Sequence, residues 1–280
     1  MYVAAGGMGH GLVTPVTAFL ASCLGGALGL HCLIRSLTTP PPRRAGWLAL
    51  GSAAIGTGVW VTHAVAMRNF TVTGSTVGYD PLTLCASLAV GTVMVGTGIF
   101  TMGHRALTAR VLFTGGTLTG LGIASIHYLA MAGVRLSGRL EYNTLLVAAS
   151  VLVAVVAATC ALWAAGWGGG RLRRIGAALA MGAAGIGMHY VGMAAVRVRL
   201  DSGAVASSGD APVRTLAVLL ISPVAFLLLL LVPMLRAPGR AAAEAHMADE
   251  AGVPRLSALP APRSAGADTA GVRSRAGQRR

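Results

Sequence analysis

The hydrophobic residues of this chain are gathered in seven long runs, and the charged residues fall between the runs. None of the seven contains Arg, Asp or Glu. A helix needs about 20 mainly apolar residues to cross a hydrocarbon core about 30 Å thick, and each run is long enough. The pattern therefore predicts an all-α, polytopic membrane protein with seven transmembrane helices, at residues 12–34, 47–67, 82–102, 111–134, 144–167, 175–196 and 215–235.

Composition supports this interpretation and assigns a different character to the end of the chain. The chain is 55% hydrophobic and only 11% charged, with a mean hydropathy of +0.71, whereas soluble domains are about 25% charged. Residues 237–280 are rich in Ala, Pro, Gly and Arg and lack apolar periodicity. We predict a membrane domain over residues 1–236 and a disordered cytoplasmic tail over residues 237–280.

The arginines predict the orientation of the helices. The net charge is +14, but the basic residues are spread over short loops and form no aromatic-lined basic face, which argues against nucleic-acid binding. Alternate loops carry eight and six arginines, and Arg236 and Arg240 follow the last run on the richer side. The positive-inside rule then places the N-terminus outside and the C-terminus in the cytoplasm.

The even-numbered runs end in copies of one pattern. The copies are GTGVWVTHAVAM, GLGIASIHYLAM and GAAGIGMHYVGM, at residues 56–67, 120–131 and 182–193. A His is followed four residues later by a Met in each, and preceded seven residues earlier by a Gly. The starts of the odd runs also match, as in YDPLTLCAS and YNTLLVAAS. The fold is predicted to contain three two-helix repeats and a separate seventh helix.

The His and Met of each copy share one helix face, because residues four apart are neighbours on a helix. All three pairs are predicted to lie at one level near the outer surface. Imidazole and thioether ligands favour copper, with non-covalent haem as the close competitor. Polar helix packing without a metal remains an alternative.

The third copy, Met188 to Met193 (MHYVGM), resembles the signature of the MHYT-domain family of bacterial membrane sensor and signalling proteins. The second copy is close to it, while the first keeps only the His and the Met and departs at Thr62 and Ala64. The resemblance implies a seven-helix domain in the bacterial plasma membrane. It also implies copper bound through Met and His, and sensing of oxygen, carbon monoxide or nitric oxide.

Carried over position by position, the resemblance nominates a set of metal ligands. The second and third copies are the safer pair. The nominated ligands are His63, Met67, His127, Met131, Met188, His189 and Met193, with Tyr128, Tyr190 and His10 as possible additions.

We expect a sensor rather than an enzyme. The resemblance implies that many family members carry a cyclic-dinucleotide enzyme or a kinase after the last helix, but residues 237–280 show no such domain and no hydrolase or metalloprotease motif appears. The expected partners are the lipid bilayer, a small gas and an unidentified signalling protein. A copper-handling or transport protein and a structural membrane scaffold are the alternatives.

Overall fold

Seven helices dominate the computed structural model, which describes residues 2–3, 5–6, 12–68, 70–166, 170–200 and 216–232. Six of them are 23 to 27 residues long and apolar enough to cross a membrane, and the seventh has 17 residues. The helices are α1 (Val13–Leu37), α2 (Pro41–Met67), α3 (Pro81–His104), α4 (Ala109–Ala132), α5 (Thr144–Gly166), α6 (Arg171–Ala194) and α7 (Leu216–Val232).

The predicted number and order of helices are confirmed, and the boundaries need small corrections. Helix α2 begins six residues before the predicted start, because Pro41 and Pro42 fit the first helical positions, where no backbone N–H is needed. The fourth and sixth predicted spans extended to Val134 and Val196, but both residues lie in strands. The tail at residues 237–280 lies outside the described residues, so its disorder stays a prediction.

Six helices form a closed ring with approximate three-fold symmetry. Each of α1 to α6 packs against its neighbours in the chain, and α6 closes the ring on α1. The even helices α2, α4 and α6 also contact one another. The predicted repeat is therefore a repeat in space, and its even helices approach one central axis.

The glycine that begins each repeat lets an even helix approach an odd one closely. A Cβ atom at Gly56 would clash with Thr92 of α3, and one at Gly120 would clash with the backbone at Val155 of α5. The third copy closes the ring, since Gly182 lies against Cys23 of α1. The predicted glycine face is thus a helix-packing face, as small residues permit in membrane proteins.

Among the described residues, seven short strands cap the end of the bundle at which the even helices finish. They are β1 (Tyr2–Val3), β2 (Ala5–Gly6), β3 (Thr71–Val72), β4 (Gly78–Tyr79), β5 (Val134–Arg135), β6 (Gly138–Tyr142) and β7 (Val196–Leu200). The antiparallel pairs β2–β3, β4–β5, β6–β7 and β1–β7 join the connections of different repeats. In β7, Val196 and Val198 are buried while Arg197 and Arg199 are exposed, so the cap has an apolar inner side and a basic outer side.

The odd helices α3 and α5 begin with equivalent caps. The Asp80 side chain accepts hydrogen bonds from the backbone N–H and the hydroxyl of Thr83. The Asn143 side chain accepts from the N–H groups of Leu145 and Leu146, at 3.0 and 3.2 Å. This explains why the sequence aligns these two residues, since Asp and Asn are both favoured at helix N-caps.

Asp80 makes the stability of the N-cap of α3 depend on pH. Its hydrogen bonds from Thr83, and Arg135 at 3.6 Å, lower the pKa of the carboxyl group. Because this pKa is lower in the folded than in the unfolded protein, the ionised carboxyl group stabilises the fold at pH values above its unfolded-state pKa of about 4. This stabilisation is lost as the pH falls through the folded-state pKa. We expect Asp80→Asn to flatten the fall in melting temperature between about pH 5 and pH 3 while keeping the cap. An equally steep fall in both proteins, measured in detergent, would show that Asp80 does not contribute.

Candidate metal centre

The three repeated histidines meet at the centre of the bundle. His63 on α2, His127 on α4 and His189 on α6 are only 3%, 2% and 3% exposed. Each lies four or five residues before the last residue of its helix, which places it about 6 to 8 Å below the helix end. The common level predicted for the three histidines is therefore confirmed, and the strand cap lies at the same end of the bundle.

The imidazole rings contact one another through the same nitrogen atom. The Nδ1–Nδ1 distances are 3.2 Å for His63–His127, 3.3 Å for His63–His189 and 3.2 Å for His189–His127. The rings stand edge to face, with centroids 5.0 to 5.2 Å apart. Three Nδ1 atoms thus form a nearly equilateral triangle, and the three side chains form a group that could hold a metal ion.

The outer nitrogens of two rings are buried, and a glycine packs against one of these rings. Metal-bound histidines usually donate their second ring N–H to an acceptor, but Nε2 of His63 and Nε2 of His127 are buried without a hydrogen-bond partner among the described residues. The His127 ring lies against Gly192 of α6, where a Cβ atom would be 2.8 Å from Nε2 and 3.2 Å from Cδ2. The first two copies carry Ala66 and Ala130 at this position, so glycine stands here in the third copy alone, where the neighbour is His127.

We expect Gly192→Ala to displace the His127 ring and weaken metal binding by about 10- to 100-fold, the range found when residues that orient ligands are changed. Gly176→Ala in the same helix is the matched control, because a Cβ atom there would have no neighbour within 4 Å. Both affinities are measured by titration against a competing chelator. Equal affinities in the two variants would contradict a positioning role for Gly192.

The two tyrosines flank the histidines, but their rings are placed differently. The Tyr128 ring packs edge-on against His127, with centroids 4.9 Å apart, and its hydroxyl is 2.7 Å from the hydroxyl of Ser150 on α5. Tyr190 packs similarly on His189 at 5.3 Å, and it is 36% exposed. Because its hydroxyl is bonded to α5, we interpret Tyr128 as a support for His127 rather than as a ligand.

The other predicted ligands lie in different surroundings. Met67, Met131 and Met188 are fully buried in the hydrophobic core, while Met193 is half-buried. His10 lies outside the described residues. Metal binding by these four methionines and by His10 therefore stays a prediction.

Sequence reasoning did not identify Gly192 or Ser150 as parts of this centre. The signal for Gly192 was present, since it is the one glycine where the other copies carry alanine. Ser150 ended one of the matching segments at the start of the odd helices, and Ser87 occupies the same place in the earlier copy. Their contacts with His127 and Tyr128 could not be predicted without the spatial arrangement of the helices.

Comparison with protein families agrees with the internal repeat. The MHYT model, described as a bacterial signalling protein N terminal repeat, matches residues 56–115 and 120–178. Each match begins at the first glycine of a copy, Gly56 or Gly120. No solved structure matches the chain.

The similar proteins are signalling proteins that are much longer than the aligned region. MucR of Pseudomonas aeruginosa, a bifunctional diguanylate cyclase/cyclic di-GMP phosphodiesterase, is 38% identical over 56% of this chain and 23% of its own length. NbdA, a cyclic di-GMP phosphodiesterase of the same organism, is 34% identical over 66% of this chain and 24% of its own length. An uncharacterized signaling protein of Caulobacter vibrioides is 34% identical over 57% of this chain and 19% of its own length. The chain thus spans about a quarter or less of these relatives.

Proposed function

We propose that this chain, which belongs to the MHYT-domain family of bacterial membrane signalling proteins, is a membrane sensor whose three histidines bind copper. Copper held by these residues would offer a coordination position to a small diatomic ligand, oxygen, carbon monoxide or nitric oxide. Ligand binding shifts the even helices, and the shift is passed to a signalling partner rather than to a catalytic site in residues 1–236.

The observation that carries the proposal is the triangle of Nδ1 atoms. A neutral imidazole has one N–H donor and one nitrogen lone pair, so a hydrogen bond between two rings needs one nitrogen of each kind. Among three mutually touching nitrogens, two must be of the same kind. At least one of the three contacts then opposes two donors or two lone pairs. A cation that accepts all three lone pairs removes this conflict.

The spacing of the nitrogens fits a tetrahedral metal. With the metal–nitrogen bonds of about 2.0–2.1 Å and the tetrahedral angles known for zinc, two ligand nitrogens would be about 3.3 Å apart. The observed separations of 3.2 and 3.3 Å agree with this value. Three protein ligands would leave a further coordination position for a small molecule. Bound copper would supply the atom to which that molecule coordinates.

Haem does not fit this arrangement. Two axial ligands of a haem bind on opposite faces of the porphyrin, so their nitrogens are separated by the macrocycle. The three Nδ1 atoms lie 3.2 to 3.3 Å apart with their rings in direct contact, and no porphyrin can lie between them. We therefore prefer copper to haem.

The helix ends add an electrostatic reason for a cation at this place. The C-terminal end of a helix carries a partial negative charge, which stabilises a nearby cation. Helices α2, α4 and α6 all end within two turns of the histidines. Three negative helix ends therefore surround one small volume.

The relatives support a signalling function but leave the output open. They are named as cyclic di-GMP enzymes or signaling proteins, and the aligned region covers only a small part of each. We propose that this chain supplies the sensory membrane portion, with the N-terminus outside and the C-terminus in the cytoplasm, and acts through a partner.

Metal analysis of the full chain in detergent tests the proposal. We expect about one copper per chain after reconstitution with Cu(I), and a new infrared band on addition of carbon monoxide. His127→Ala combined with His189→Ala should lose both signals. Absence of copper from the wild-type protein would contradict the metal centre and favour polar helix packing. Bound copper with no response to carbon monoxide, nitric oxide or oxygen would contradict sensing and favour copper handling.

A further inference from the structure

The ligand set at the centre of the bundle carries no negative charge. His63, His127 and His189 would bind a metal as neutral imidazoles, and among the described residues they are the one group of His, Cys, Asp or Glu side chains that could hold a metal ion. The described ranges contain two carboxyl side chains, Asp80 and Glu141. Both belong to the strand cap, where they lie 3.6 Å from Arg135 and Arg199.

A buried metal of higher charge is disfavoured more strongly in such a place. The free energy of transferring an ion from water into a low-dielectric interior grows with the square of its charge. The attraction of the three helix ends grows only in proportion to the charge. Neutral ligands therefore compensate a monovalent cation far better than a divalent one, which in proteins commonly has a thiolate, a carboxylate or a bound hydroxide.

The cap adds positive potential to the same end of the bundle. Its arginines at positions 135, 139, 197 and 199 are exposed, and Arg139 is the register partner of Arg199 across β6 and β7. Among the described residues of the cap, these four positive charges exceed the two negative charges of Asp80 and Glu141. Their field opposes a divalent ion twice as strongly as a monovalent one.

We propose that the three-histidine centre selects soft monovalent cations, Cu(I) or Ag(I), over divalent cations of similar size such as Zn(II). This inference rests on the proposed metal centre and specifies the charge of its ion. A monovalent ion leaves the fourth position to a neutral ligand, whereas a divalent ion needs an anion there. The neutral ligands of the proposed sensor suit the monovalent form.

Competition between Ag(I) and Zn(II), two ions that do not change oxidation state, tests the inference on the full chain in detergent. The wild-type protein loaded with Ag(I) is challenged with Zn(II), and both metals are measured by elemental mass spectrometry. We expect Ag(I) to remain bound against at least a hundredfold excess of Zn(II). Displacement by an equal concentration of Zn(II) would overturn the inference while supporting the metal centre. Binding of neither ion would overturn the proposed function, and this inference with it.

Two variants separate the effect of ligand charge on metal preference from the effect of ligand softness. His189→Asp and His189→Asn remove the same ligand and differ by one negative charge. We expect the aspartate variant to prefer Zn(II) at least tenfold more than the asparagine variant does. The same pair at His63 serves if a variant at 189 does not fold. Equal preferences in the two members of a pair would overturn the electrostatic explanation.

Discussion

Replacing His63 by alanine is expected to abolish metal binding as completely as replacing His127 or His189. Its Nδ1 atom lies 3.2 and 3.3 Å from those of the other two rings, so each ring supplies one ligand nitrogen to the same site. Loss of a ligand should lower the affinity by more than about 100-fold, the upper end of the effect of residues that only orient ligands.

Cu(I) titration against a competing chelator measures this effect. His104→Ala is the control, since His104 lies at the end of α3, stacks on Phe100 with centroids 5.6 Å apart and takes no part in the group of three. The result is informative because the first copy keeps only His63 and Met67 of the family signature. Near-normal binding in the His63 variant would limit the site to the second and third copies.

The second large effect is expected where α1 and α2 touch through their backbones. A Cβ atom at Gly58 would lie 2.7 Å from the Cα atom of Gly25, and one at Gly25 would lie 2.6 Å from the Cα atom of Gly58. Backbone atoms cannot move aside as a flexible side chain can. Gly58→Ala should therefore separate the helices and lower the free energy of unfolding by about 3 kcal/mol, the upper part of the range for overpacked cores.

Thermal unfolding in detergent provides the measurement. Gly46→Ala in α2 is the control, because a Cβ atom there meets nothing within 4 Å and the gain in helix propensity is the same in both variants. We expect the control to melt at or above the wild-type temperature. A stable Gly58→Ala protein would show that the close approach of α1 and α2 is not required.

The helices could be predicted from the sequence because charge and hydropathy change abruptly at their ends. The fourth and sixth spans were predicted slightly too long, since Val134 and Val196 continue the apolar run although they belong to strands. The strands themselves were missed because most have two residues. The alternating segment VRVRL at residues 196–200 was a usable signal, but its arginines were interpreted only as loop charges.

The central histidines were predictable as a set, but their geometry was not. The repeat placed three histidines at one depth, and the ring of helices turns them toward one axis. Sequence similarity favoured His127 and His189, whose copies match the family signature, whereas the distances make His63 equivalent to them. The departures from the signature at Thr62 and Ala64 concern only the residues on either side of His63. Whether the His63 ring meets the other two rings depends on how α2 packs against α4 and α6.

X-ray absorption at the copper edge, on the full chain reconstituted with Cu(I), tests the three-histidine centre most directly. We predict three nitrogen neighbours at about 2 Å, close to the bond length of imidazole nitrogens on zinc, with the outer-shell pattern of imidazole rings. Two such neighbours should remain in His63→Ala if residual copper is bound. A first shell of sulfur atoms, or a wild-type spectrum unchanged by the removal of His63, would contradict the account.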